Sequence, residues 1–577
     1  MEDKLNHSSR AVFLRHTAST HPFRWRRVIR SGRTARQYSL PNSQTFRLSS
    51  GQSRPPFNSV CAHSSFQRAE LKVDHARSDG YRISRRSILK SAAAFAAASP
   101  AVLFSAAEPP RNAQTREDIG ARDPVARRSA DADHRILLKG GAVISMDPKT
   151  GDFAKGDVLI HGKKIAAVGP HIEAPARTQI IDASNTILVP GFVDCHRHAW
   201  EGQLRRIIPN ATTLGEYMGA THQFFALHYR AHDMYVGNLL TALGCIDAGI
   251  TCIVDNSNNA RSPEHSDAAI QALLDSGIRA LHASGRPQAG EWSHHWPDDL
   301  VRLKQRYFAS DDQLVRLGLF SLGLNRTDWA VARQLGIRIC SEFDGGFATQ
   351  MDEFSKANLL GADNNYNHAF GLSDRTWQQI LDSGGTVDVC PRSDAQYAMG
   401  EGISGLQAAL DHRARPGLSI DNEVSYGTDM FTEMHVAFSM QRGLAARRKL
   451  AGDSTAPAPI NVRTILECAT VNGAACAGLA GTCGVLTPGA QADVVMIRAD
   501  DINLYPSNNA IGTVVLAADI RNIDTVIIGG QVRKSRGSLV GVDMAKVRRL
   551  VDESREYLFA KAGYQPDIFA SRNGIRD

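Results

Sequence analysis

The sequence predicts an α/β fold: a (β/α)8 barrel of the TIM type, with a small β-sandwich domain built from the segments on both of its flanks. Three observations carry this. Short alternating runs, Arg135-Ile136-Leu137-Leu138, Gly141-Ala142-Val143-Ile144-Ser145 and Asp157-Val158-Leu159-Ile160, are broken by Gly, Asp and Lys and read as half-buried strands. The same texture returns at residues 492–497 and 523–530, so the two ends are expected to make one β unit. Between them, apolar strand patterns near 188–194, 250–255, 277–282, 315–320, 336–341, 365–369, 385–390 and 417–421 alternate with helical ones, which is the period of a parallel barrel.

Taken in order, residues 1–83 are rich in Arg, Ser, His and Gln, lack hydrophobic periodicity and are expected to be disordered. Residues 84–107 open with Ser84-Arg85-Arg86-Ser87-Ile88-Leu89-Lys90, continue as an Ala-rich apolar segment and end on Ser105-Ala106-Ala107. This is similar to a twin-arginine export signal and implies an exported, periplasmic or extracellular, protein if it is used, and a cytoplasmic one otherwise. A linker over 108–133 leads to the first sandwich segment, 134–187. The barrel is expected over 188–480, the second sandwich segment over 481–541, and a C-terminal helix and tail over 542–577.

Charge and cysteine content narrow the function. Residues 1–107 carry 18 Lys and Arg against 5 Asp and Glu, which leaves 48 against 54 for the rest. The net charge of +7 therefore belongs to the leader, and the globular part has no basic footprint for nucleic acid. Nine cysteines contain no C-x-x-C pair and read as small buried apolar residues rather than a disulfide framework. Downstream of the leader no apolar run reaches eighteen residues, so no membrane span is expected in the mature part. Small-molecule substrate and water are the expected partners, and a homo-oligomer is compatible with the sequence.

The chemistry begins at Val189-Pro190-Gly191-Phe192-Val193-Asp194-Cys195-His196-Arg197-His198. Alternate residues of a strand share a face, so His196 and His198 point the same way at the carboxyl end of a buried strand, where a barrel enzyme keeps its chemistry and imidazoles can hold a divalent metal.

From about His134 to Gly541 the chain resembles the metal-dependent amidohydrolase superfamily, within it the cytosine deaminase-like and triazine hydrolase-like group. The residues that carry the resemblance are the opening just quoted, Asn367-His368-Ala369-Phe370-Gly371-Leu372-Ser373, Ser419-Ile420-Asp421, Ala469-Thr470-Val471-Asn472-Gly473-Ala474 and Pro488-Gly489-Ala490-Gln491-Ala492-Asp493. It implies one divalent metal ion, zinc or iron, bound by His196, His198 and Asp421. His368 would then orient the attacking water or polarise the substrate, with Asp421 moving the water's proton. Gly427-Thr428-Asp429 imitates the superfamily's metal aspartate, but the register leaves Asp421 at the strand end and makes Asp429 a helix cap. Binuclear relatives carry a bridging lysine on the fourth strand; 315–324 contains none, which favours one metal.

The departure lies on the fifth strand, where the group presents a metal-binding histidine. Here Ile337-Arg338-Ile339-Cys340-Ser341-Glu342-Phe343-Asp344 puts Glu342 in that place. A carboxylate is a legitimate ligand; the alternatives are Cys340, Asp344 or loss of the metal. Trp200 and Gln203, with Arg206, follow the first strand and are the expected substrate-binding residues, Asn256, Asn258 and His282 are weaker candidates, and 292–296 reads as a surface loop with part of a lid as the alternative. The expected activity is hydrolysis of a non-peptide C–N bond, deaminating a cyclic amidine or N-heterocycle. The rival expectations are a catalytically impaired ligand binder, or a hydrolase of a cyclic amide or carbon–halogen bond.

Overall fold

The computed structural model describes residues 133–569, apart from His294, His295 and the side chain of Glu401. The expected disordered region, export signal and most of the linker lie outside the described residues. Five strands open the described part: β1 (Arg135–Val143), β2 (Phe153–His161), β3 (Lys164–Gly169), β4 (Thr178–Asp182) and β5 (Thr186–Pro190). Eight parallel strands follow: β6 (Phe192–Arg197), β7 (Ile250–Ser257), β8 (Arg279–Ser284), β9 (Val315–Leu322), β10 (Arg338–Phe343), β11 (Asn364–His368), β12 (Thr386–Val389) and β13 (Gly417–Leu418), hydrogen-bonded in chain order. Then β14 (Val494–Arg498), β15 (Ile523–Ile528), β16 (Gln531–Ser535) and β17 (Ser538–Leu539) return to the first five and complete a nine-stranded sheet through β14 and β5. The α/β barrel with a β unit made from both flanks is the fold that the sequence predicts. The β unit is one continuous hydrogen-bonded sheet; β1 pairs with β4 over Arg135–Lys139 and with β5 at Ala142 and Val143.

The run expected as one strand over 188–194 is two. A side chain at Gly191 would drive a Cβ to 2.0 Å from Thr251 Oγ1, so only glycine lets the backbone pass here. The chain turns at this point from β5 in the flanking sheet into β6, the first barrel strand. A buried fork joins the two layers elsewhere: Arg279 at the start of β8 donates from Nε and Nη2 to the two carboxylate oxygens of Asp493, at 2.6 and 3.0 Å.

β13 is only two residues long, and the barrel is closed beyond it by the backbone of Asp421. Its N–H donates to the carbonyl of His196 at 2.9 Å and its carbonyl accepts from His198 N–H at 2.8 Å. Below this seam Asp194 accepts from Ile420 N–H at 3.0 Å and pairs with buried Arg197, which also reaches Glu423 at 3.3 Å. The histidine pair and Asp421 are thus fixed to each other by main-chain bonds before any side chain is considered. Asp429 caps helix Met430–Leu450, its carboxylate accepting from Thr432 N–H at 2.6 Å. The eight described cysteines are free and buried, and no described helix is long and apolar enough to cross a membrane.

Candidate metal centre and substrate cavity

Four side-chain donors from three regions of the barrel converge at its carboxyl end. His196 Nε2 lies 3.3 Å from His198 Nε2, 3.1 Å from Asp421 Oδ1 and 3.3 Å from Glu342 Oε1. His198 Nε2 lies 3.4 Å from Asp421 Oδ1 and 3.6 Å from Glu342 Oε1. Donors about 2.0–2.2 Å from one zinc-like ion in a tetrahedron stand roughly 3.3–3.6 Å apart. His196, His198 and Asp421 form one group whose donors could hold a metal ion, and His196, Glu342 and His368 form a second that shares His196. The other two fifth-strand candidates are placed differently: Cys340 is buried with Val254, Leu281 and Phe320 in the barrel interior, and Asp344 turns its carboxylate to Gly346 N–H at 2.6 Å.

The second ring nitrogens set the tautomers. His198 Nδ1 is 3.1 Å from the Asn256 carbonyl, so that nitrogen carries the proton and Nε2 keeps its lone pair for a metal. His196 Nδ1 faces the Asn256 side-chain amide at 2.9 Å, while that amide's oxygen has no partner. A 180° turn of the amide exchanges the two and lets it accept from His196 Nδ1–H. Burial lowers His196 to about 3 against the pull of Asp421, and lowers His198 too, so both imidazoles are neutral and ready to bind. Asp421 is held well below the usual carboxylate range: burial works against its charge, but the hydrogen bond and field of His196, with His198 and His368, outweigh it. Its other oxygen accepts from Ser393 Oγ and, at 3.1 Å, from Asn422 Nδ2.

His368 stands beside this set. Its Nε2 is 3.4 Å from Glu342 Oε2 and its Nδ1 is 2.9 Å from Asp394 Oδ1, in the first turn of helix Pro391–Gln396. Burial disfavours the imidazolium, yet the Asp394 hydrogen bond and the Glu342 charge raise His368 to about 10. Two of these residues hold left-handed backbone, Asp421 at φ 70° and His368 at φ 66°. Such strain costs about 1–3 kcal/mol per non-glycine residue and clusters at functional sites.

The cavity over the donors has a volume of about 190 Å³. Its walls are Tyr217, Met218 and His222 from the long connection after β6, with Phe343, Phe347 and Phe370 from the ends of the fifth and sixth barrel strands. These flat faces suit a planar ring. A groove of about 930 Å³, lined by Lys163, Arg279 and Arg316, opens near the amino-terminal ends of β8 and β9, away from this chemistry.

Trp200 and Gln203, expected to meet substrate, do not line the cavity. Trp200 is fully buried, donating from Nε1 to Asn258 Oδ1 at 2.9 Å and packing edge-on against His222 and Tyr229. Gln203 donates to the Asp233 carbonyl and to Ser554 Oγ, at 3.1 and 3.2 Å, tying in the C-terminal helix Met544–Ala562. Both buttress the wall instead of forming it. Arg206 is exposed and His282 is spent on Asp255 at 2.8 Å. Asp394, Ser393, Tyr217 and His222 were not read from the sequence; Pro391 opening a helix after a strand was the one local signal for the first two.

Residues 334–533 match the model of the amidohydrolase family. Those residues carry an amidohydrolase family domain. Among relatives of this chain is the 5-methylthioadenosine/S-adenosylhomocysteine deaminase of Caldicellulosiruptor saccharolyticus, 24% identical over 73% of this chain and 100% of the relative. The 5'-deoxyadenosine deaminase of Methanosarcina mazei is 24% identical over 74% of this chain and 99% of its own length. Similar solved structures include an atrazine chlorohydrolase from Arthrobacter aurescens complexed with zinc, at TM-score 0.63 and 20% identity over 73% of this chain and 100% of that one. An adenosine deaminase from Xanthomonas campestris with bound zinc gives TM-score 0.62 and 19% identity over 74% and 99%. At that identity the two structures speak for the fold.

Proposed function

We propose that this amidohydrolase is a mononuclear zinc-dependent deaminase that hydrolyses the exocyclic C–N bond of an amino-substituted N-heterocycle, with the aminopurine ring of a nucleoside as its leading substrate. The observation that carries the reading is the convergence of His198, Glu342 and Asp421 on His196 Nε2, at 3.3, 3.3 and 3.1 Å, beneath an aromatic cavity, with the His368–Asp394 pair at its side. Metal-dependent hydrolysis of carbon–nitrogen bonds is the chemistry of the family, and two relatives bear the names of deaminases of adenosine-type nucleosides.

A divalent ion held there supplies Lewis acidity that brings the pKa of water from about 16 toward about 7. The chain's own residues do the rest. Asp421 stays ionised, is kept from rotating by Ser393 and Asn422, and accepts the proton of the attacking water. His368 presents Nε2 to the cavity with Asp394 holding Nδ1, so it polarises the ring and hands a proton to the departing nitrogen. The aromatic walls hold the ring flat and keep bulk water out.

The test is elemental analysis followed by ammonia release from adenine nucleosides, guanine, cytosine and aminotriazines. About one equivalent of zinc and release from one of these classes is expected. An empty, folded protein would support the binder instead, and chloride release from a chlorotriazine without ammonia would move the reaction to another bond. Asp394→Asn removes a charge that raises His368, so the alkaline limb of the pH–rate profile is expected to shift to lower pH while kcat falls about 10- to 100-fold. An unmoved limb rejects His368 as the proton donor. Export is part of the same proposal: Arg85 and Arg86 changed to Lys should leave precursor in the cytoplasm. Unchanged secretion sinks it.

A further inference from the structure

We infer that the cavity selects substrate by charge, taking an uncharged or cationic amino-heterocycle with an apolar substituent and refusing one that bears a phosphate or a lone carboxylate; this rests on the deaminase reading above. Leu214 and Leu322 line the cavity and are nevertheless 43% and 60% exposed, so they form its mouth. Any substituent too large for about 190 Å³ has to leave between them. Among the described residues that line the cavity there is no Lys or Arg, and the acidic group outside the donor set is Asp344.

Arginines near the lining residues in the chain are committed elsewhere, beginning with Arg197, which pairs with Asp194 and Glu423. Arg286, two residues before the cavity-lining Gln288, pairs with Asp328 at 2.6 Å. Arg261 spends three nitrogens on the carbonyls of Ala226, Glu291 and Ala289, at 2.8, 3.0 and 2.9 Å. Arg392 is held by Glu433 and by the carbonyls of Gly427 and Asp429. A divalent ion held there would offset Glu342 and Asp421 at the floor, beside the His368 imidazolium, which leaves Asp344 as the remaining acidic group of the lining. A phosphate at the mouth would give up water for leucine side chains and a like charge, with no Lys or Arg of the lining in return. An apolar or protonated amine substituent meets no such cost.

The experiment compares 5'-methylthioadenosine, adenosine and adenosine 5'-monophosphate, which share the reacting ring, on the metal-loaded full chain. The uncharged pair is expected to exceed the monophosphate in kcat/KM by at least about 100-fold, the size of discrimination that unpaired polar burial supports. Leu322→Arg puts a guanidinium at the mouth and is expected to narrow that ratio by about tenfold or more. A monophosphate turned over within about tenfold of the uncharged pair by the unmodified chain, or a ratio untouched by Leu322→Arg, overturns the inference. If no member releases ammonia with the metal site full, the deaminase reading fails by itself. Calorimetric binding of the same three compounds then decides the charge preference, and equal affinities reject it.

Discussion

Asp421→Ala and His196→Ala are each expected to leave a protein that no longer retains its divalent ion and shows no measurable hydrolysis, whereas Asp429→Ala keeps both. Asp421 Oδ1 and His196 Nε2 are 3.1 Å apart in the proposed donor set, so either change would remove a ligand. The loss in metal affinity should exceed the roughly 10- to 100-fold that follows from losing only an outer hydrogen-bond partner. Asp421 has a second role that the test must separate. Its backbone closes the barrel, and at φ 70° it holds a conformation that alanine adopts with strain. Asp421→Asn is the control, because asparagine tolerates left-handed backbone and keeps the volume while losing the charge. Asp429 sits eight residues on and caps a helix, so its loss should cost about 1 kcal/mol and a lower Tm. Elemental analysis and melting curves on the variants decide the matter. Metal lost in Asp429→Ala but retained in Asp421→Ala and Asp421→Asn would reverse the register.

The strand ends were legible in the sequence because they obey local rules. A His-X-His after an apolar run, a Ser-Ile-Asp at a strand end and an Asp before a helix each state their geometry within a few residues. What was hidden depends on chain return. Gly191 reads as a turn only when Thr251, sixty residues on, is pressed against it. Trp200 and Gln203 look like substrate residues because they follow His196 and His198, and nothing local says that helix Ala231–Asp247 and Ser554 near the C-terminus will bury them. The cavity walls are hidden for the same reason: Tyr217 sits in the short helix Leu214–Ala220 and His222 just after it, and three-dimensional packing alone brings them within 6.5 and 6.1 Å of the His198 ring. Asp394 is 26 residues from His368 and joins it only because β12 carries the chain back beside β11.

Glu342 is where this chain departs most from the pattern it otherwise follows, and replacing it has the most informative outcome. Glu342→Ala removes one of four donors and is expected to weaken metal retention sharply; Glu342→His should restore it with an imidazole. The pH dependence follows from the metal-free chain. Burial pushes Glu342 up to about 8, with Asp421 adding to the effect and the His368 charge opposing it. Below that pH the neutral carboxyl dominates, and a divalent ion has to displace its proton, so binding weakens by up to about tenfold for each pH unit below 8. Protons released on zinc binding, measured by calorimetry in buffers of different ionisation enthalpy, should therefore fall in Glu342→Ala relative to the unmodified chain. Two anionic ligands also make the attacking water less acidic than one does. Glu342→His removes one of these charges, so the rising limb of its pH–rate profile should move to lower pH. If Glu342→Ala keeps full metal, full activity and the same proton release, the carboxylate is not a ligand and three donors hold the ion. In that case its 3.4 Å approach to His368 Nε2 leaves it one remaining use, holding the charge of that imidazole.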